Sequence, residues 1–70
     1  MYFIAKTPLG QFESVFSDNE ADNEIVRQTL TANLDAISRL FFQAKDPNGG
    51  EITVSLGPDI IKNSVFIIVD

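Results

Sequence analysis

Residues 40–56 read Leu-Phe-Phe-Gln-Ala-Lys-Asp-Pro-Asn-Gly-Gly-Glu-Ile-Thr-Val-Ser-Leu. On either side of Pro47-Asn48-Gly49 every second residue is apolar, the pattern of two strands with one buried and one wet face. Pro47 presets φ near −65° for the first turn position, and Gly49 accepts a left-handed conformation at the third. The stretch is therefore expected to be a hairpin with a three-residue loop, a type I turn closed by a Gly bulge. That loop pairs Asp46 with Gly50, Lys45 with Glu51, Ala44 with Ile52, Phe42 with Val54 and Leu40 with Leu56. Apolar residues meet apolar residues, and Lys45 faces the opposite charge of Glu51. A slip of one residue would oppose polar to apolar throughout.

The same turn chemistry recurs in Thr7-Pro8-Leu9-Gly10. A three-residue loop there pairs Lys6 with Phe12, Ala5 with Glu13, Ile4 with Ser14, Phe3 with Val15 and Tyr2 with Phe16. Alternation is poor in this hairpin, and both of its faces carry apolar residues. The last eight residues, 63–70, contain the uninterrupted apolar run Val65-Phe66-Ile67-Ile68-Val69. Such a run is expected where both faces of a sheet are covered.

Between the hairpins, Ser17-Asp18-Asn19-Glu20 has the spacing of a capping box. Beyond it Val26, Leu30, Leu34, Ile37 and Phe41 fall on one stripe at 3.6 residues per turn. A helix is expected from about residue 19 to about residue 38, with no Gly to terminate it. Asn33 falls at the edge of the stripe, as a boundary residue. Phe41 is claimed twice, by the stripe and by the outer face of a strand. Gly57-Pro58-Asp59-Ile60-Ile61-Lys62 suits a single helical turn with Pro at its first position. The chain is read as one α+β domain, residues 1–70: a small, mainly antiparallel sheet of about five strands in the order β-β-α-β-β-β, with one amphipathic helix packed on one face.

Size and composition narrow the chemistry. A 70-residue domain has a thin core, and chains of this size rely on disulfides, metals, tight packing or oligomerisation. The absence of Cys and His removes disulfides, thiolate sites, the commonest general base and the commonest metal ligand. Net charge is −5 and the five basic residues are scattered, which argues against nucleic acid and anionic membrane as partners. No signal-peptide pattern and no apolar run of membrane-spanning length is present, so a cytoplasmic location is expected. No cofactor and no metal is expected.

Asp18, Glu20, Asp22 and Glu24 lie within seven residues. They lack the Gly and the terminal Glu of a calcium loop, and alternate residues diverge around a helix. Their simplest role is favourable charge at a helix N-terminus; the sharper one is an acidic patch for a basic protein. Glu13 and Glu51 are strand-borne carboxylates with no second group to make them an acid–base pair. No activated nucleophile, nucleophile elbow or phosphate-cradling Gly loop occurs. The chain is therefore not read as an enzyme. Tyr2, Phe12, Phe16 and Phe41 are expected on the sheet face away from the helix, where aromatics without surrounding cations suit protein contact.

The expected function is that of a non-enzymatic protein-binding module. Asp18, Glu20, Asp22 and Glu24 would steer a basic partner, and Tyr2, Phe12 and Phe41 would seal the contact. In size, acidity and lack of Cys the chain is similar to phage-encoded inhibitors of host machinery and to immunity proteins, a likeness of size and charge and not of sequence. A homodimer is expected from the closing run, with Phe66 and Ile68 at its interface. The alternatives are a homo-oligomeric structural or accessory subunit, and an oligomer that sequesters a small ligand.

Overall fold

A computed structural model describes residues 1–32 and 34–70; Asn33, the expected boundary residue, lies outside the described residues. The strands are β1 (Tyr2–Thr7), β2 (Gly10–Glu13), β3 (Leu40–Lys45), β4 (Glu51–Leu56) and β5 (Val65–Val69). Helix α1 (Glu20–Thr31) joins the hairpins, and the short α2 (Pro58–Ile61) precedes β5. All strand pairs are antiparallel, and they form a three-stranded sheet in the order β2-β1-β5 and a two-stranded sheet, β3-β4. The expected α+β class, strand number and single main helix are present.

The two sheets meet at Ser14, which lies opposite Ala44 in an isolated bridge. The Ser14 N–H donates to the Phe3 carbonyl (2.8 Å), and the Ser14 hydroxyl accepts the Phe3 N–H (2.8 Å). One residue on, the Val15 N–H donates to the Gln43 carbonyl across the seam (3.0 Å). Both Ser14 and Ala44 are buried. Ala44, Val54 and Leu56 form the core with Ile61, which α2 delivers, and Phe12, Leu40, Phe42 and Phe66 pack against them. Phe3 ties the two sheets together, its ring 4.9 Å from that of Phe42 in an edge-on arrangement and 6.2 Å from that of Phe66.

The second hairpin has the register its alternation predicts, from Leu40–Leu56 to Lys45–Glu51. Asp46 and Gly50 close the loop, with Gly49 at φ +96°. The first hairpin does not follow the expected register. Its pairs are Thr7–Gly10, Lys6–Gln11, Ala5–Phe12 and Ile4–Glu13, one residue away from the three-residue-loop pattern. Two causes act together. The Thr7 hydroxyl accepts the Leu9 N–H (3.1 Å) and donates to the Gly10 carbonyl (2.8 Å), which draws Gly10 out of the loop and into the ladder. The shift also turns Phe12 toward the core and Glu13 away from it, whereas the expected register would have placed the Glu13 carboxylate beside Phe3, at a desolvation cost.

This shift also corrects the expected Lys45–Glu51 ion pair. Glu13 arrives beside Lys45 on the outer face, and the Lys45 ammonium bonds the Glu13 carboxylate at 2.6 Å, although Glu51 is the Lys45 ladder partner. The Glu13 hydrogen bond, followed by its charge, raises the Lys45 pKa.

Helix α1 begins near the expected residue but is capped differently. Asn19 is the N-cap, its side-chain oxygen accepting the Asp22 N–H (3.1 Å), while the Ser17 hydroxyl accepts only the Asn19 N–H (3.2 Å). The helix ends at Thr31, seven residues short of the expected end. The Thr29 and Thr31 hydroxyls donate back to the carbonyls of Ile25 and Arg27, a pattern that weakens a helix interior. Leu34–Ala36 forms a short 3-10 turn that still brings Leu34 and Ile37 to the core. Phe41 belongs to β3 and not to the helix.

Two measurements check this arrangement. Ser14→Ala leaves the buried Phe3 N–H without its acceptor and should cost about 1–3 kcal/mol in urea unfolding; a loss below about 0.5 kcal/mol, the range of an ordinary surface change, would contradict the joint. In double-mutant cycles, Lys45 should couple measurably to Glu13 and not to Glu51; the reverse ranking would restore the register read from the turn alone.

Candidate functional site

Beyond the Ser14 seam, where the Phe3 and Phe42 rings meet, Phe3 of β1 and Leu40–Phe42 of β3 line a gap beneath α1. Val26 and Leu30 turn toward this gap and are half-buried. Ile25 and Thr29 fall on the helix flank nearest β3. With Leu40, Phe41 and Phe42 these residues enclose a cleft of about 220 Å³ that no ionisable side chain lines. Its rim is formed by Ile25 and Phe41, which remain 61% and 66% exposed. A second cleft of about 170 Å³ shares Phe3, Val26 and Phe42 and runs beneath the helix start to Ser17 and Asn23. Asn23 is buried there, its side-chain amide donating to the Ser17 carbonyl (3.1 Å), so the helix start is fixed against the strands.

Asp18, Glu20, Asp22 and Glu24 are all exposed at this end of α1. Asp22 shares the flank of Ile25 and Thr29 by its three- and seven-residue spacing; Glu20 and Glu24 lie around the helix from it. Among the described residues no group of three acidic side chains is placed to hold an ion. Glu24 lies 3.6 Å from Arg27. Asp18, Glu20 and Asp22 make no ion pair among the described residues. Arg27 is directed away from the cleft, bonding Asp70 at 2.5 Å beyond the end of β5. That hydrogen bond is the main cause of a raised Arg27 pKa, and with the guanidinium charge it holds the Asp70 carboxyl below its ordinary range. The acids at the helix start thus stand on the same helix that walls the apolar cleft, whose own lining holds no ionisable side chain.

The residues singled out from the sequence separate into three places. Phe41 lines the cleft, while the four acids are grouped at the start of α1, the helix that forms one of its walls. Tyr2 is half-buried on the opposite, outer face of the sheet, with the Lys45 ammonium 5.8 Å from its ring centroid. Phe12 was expected on that outer face, but the register shift turns it inward, half-buried against the core. Phe66 and Ile68 likewise lie inward: Phe66 stands opposite Ala5 and near Phe3, and Ile68 stands opposite Phe3. The outward-facing members of β5 are Val65 and Ile67, 60% and 38% exposed, beside Ile4 and Val69. Ile25 also escaped sequence reading, although an apolar residue next to Glu24 and off the buried stripe was its visible signal.

No known protein family, curated protein or solved structure matches this chain. No helix among the described residues is long and apolar enough to cross a membrane.

The Arg27–Asp70 contact carries a pH signature. Because the folded-state pKa of Asp70 is depressed from its ordinary 3.8, its stabilising contribution is present above that value and is lost as pH falls through the folded pKa. Asp70→Asn should therefore flatten the acid limb of the urea midpoint plotted against pH. Superimposable acid limbs for the two proteins would show that the pair does not form in solution.

Proposed function

We propose that this chain is a non-enzymatic protein-binding module of the inhibitor kind, acting in the cytoplasm by occupying a partner protein through the α1–β3 cleft and the acidic helix start. The carrying observation is the pair Ile25 and Phe41, two large apolar side chains that both line an apolar cleft and remain more than half exposed at its edge. Isolated exposed apolar residues are ordinary; exposed apolar residues gathered at one concavity favour a contact. At about 220 Å³ the cleft falls below the roughly 300–1,000 Å³ of small-molecule sites and suits one or two side chains of a protein anchor. The absence of ionisable groups in its lining supports binding over chemistry.

The acids give the partner a charge. With a net charge of −5 and Asp18, Glu20, Asp22 and Glu24 at the start of the helix that walls the cleft, encounter is fastest with a basic surface. The partner is therefore a protein that offers an apolar or aromatic anchor bordered by Lys or Arg.

The test is affinity capture from host extract with matched variants. Phe41→Ala with Ile25→Ala should weaken recovery by at least about thirtyfold, the effect of losing about 2 kcal/mol at a buried anchor. Replacing the four acids by Asn or Gln should slow association at low salt and flatten its salt dependence. Gln11→Ala, exposed on β2 and outside the cleft lining, should recover the partner as the native chain does. Equal recovery by all three would refute the cleft as the contact.

A further inference from the structure

We infer that two copies of this chain pair antiparallel through β5, about a two-fold axis at Ile67, to give a continuous six-stranded sheet β2-β1-β5-β5-β1-β2. This goes beyond the cleft and uses a different surface.

β5 has β1 as its single strand neighbour. Because Phe3 and Ser14 are a hydrogen-bonded pair, the main chain of Ile4 turns toward β5, and its ladder partner Ile67 turns back toward it. The N–H and C=O groups of Phe66 and Ile68 therefore project from the free edge. Among the described residues no hydrogen bond reaches them from that side. Pairing centred on Ile67 sets Phe66 of each copy opposite Ile68 of the other, so the two projecting residues are each other's partners and four main-chain hydrogen bonds form. Val65 then meets Val69, and Ile67 meets its own copy. The whole of β5 is used, and every pair is apolar.

Sequence and charge support this occupant. Exposed edges are ordinarily guarded by Lys, Pro or a bulge; β5 contains none of these, whereas the edge strand β4 presents Glu51, Thr53 and Ser55. Lys62 precedes β5 and Asp70 follows it. Lys62 lies 3.7 Å from Asp59 and Asp70 is bonded to Arg27 within the chain; antiparallel pairing brings Lys62 of one copy toward Asp70 of the second as an addition to those contacts, while parallel pairing would set like charges together. The symmetry consumes both β5 edges, so assembly stops at two.

The Cys-free background allows a direct test. Across the axis Ile67 and its copy form a non-hydrogen-bonded pair, whose Cα separation of about 4.5 Å lies within disulfide reach. Ile67→Cys should oxidise to a covalent dimer at least about tenfold faster than Ser55→Cys, an exposed control on β4. The native chain should sediment as a dimer at about 100 µM, and Ile67→Lys, at a partly exposed position, should sediment as a folded monomer. A monomeric native chain at that concentration, or Ile67→Cys oxidation no faster than the control, would overturn the pairing. Should Ile67→Lys fail to fold, the cysteine comparison decides. A native monomer whose capture of a partner still depended on Phe41 would overturn the pairing and leave the cleft reading intact.

Discussion

The Phe3 N–H donates to the Ser14 hydroxyl and the Phe3 C=O accepts the Ser14 main-chain N–H, while Ser14 stands against Ala44 across the seam between the sheets. Almost every other spatial relation follows from this buried joint. It fixes the first hairpin so that Phe12 faces inward and Glu13 outward. It brings Glu13 to Lys45, sets which β5 residues face the core through their pairing with β1, and determines where the sheets part. A short hydroxyl side chain suits the position, since it bonds Phe3 while Ala44 closes in from the other side.

The parting of the sheets explains why so small a chain keeps so much apolar surface open. One twelve-residue helix cannot cover the inner faces of five strands. It covers the gap imperfectly, through Val26 and Leu30, and leaves Ile25 and Phe41 as a rim. Meanwhile the outer face divides. On β3 and β4 it sets Phe41 among polar cross-links, with the Gln43 amide bonded to Thr53 (2.8 Å) and the Arg39 guanidinium bonded to Ser55 (2.9 Å). On β1 and β5 it is mainly apolar, with Ile4, Val65, Ile67 and Val69 in adjacent rows and Lys6 opposite Val65. The chain therefore offers two apolar surfaces of different character, a cleft walled by the acid-bearing helix and a bare strand edge. A domain with neither disulfide nor metal has reason to use such surfaces in association.

The sequence disclosed the second hairpin in full because its alternation and its loop chemistry agree. The first hairpin was hidden because the two signals conflict: Pro8 and Gly10 suggest a three-residue loop, while burial of Phe12 over Glu13 requires the shorter one. A one-residue slip reverses every face in a strand, and so Phe12 was assigned to the wrong side. The helix looked longer than it is because Leu34 and Ile37 reach the core from a 3-10 turn that keeps the same stripe. At the candidate site, charge spacing marked the four acids and strand parity marked Phe41 as exposed on the face away from the helix, but neither signal pointed to a cleft that Phe41 shares with α1. Ile25 was not legible, because its exposure depends on how far α1 stands from β3. Phe66 and Ile68 were placed outward because no sequence signal fixes the parity of an uninterrupted apolar run; that parity comes from the β1 ladder.

The cross-strand Hα contacts of the first hairpin, read by NMR, test this register most directly. With Phe3 and Ser14 as a hydrogen-bonded pair, Ile4 and Glu13 form the close non-hydrogen-bonded pair, Cα atoms about 4.5 Å apart, and should show a strong Hα–Hα contact, as should Lys6 and Gln11. Strong contacts between Ile4 and Ser14 and between Lys6 and Phe12 would instead show that Glu13 faces inward. The joint at Ser14, and the division of surfaces derived from it, would then fail.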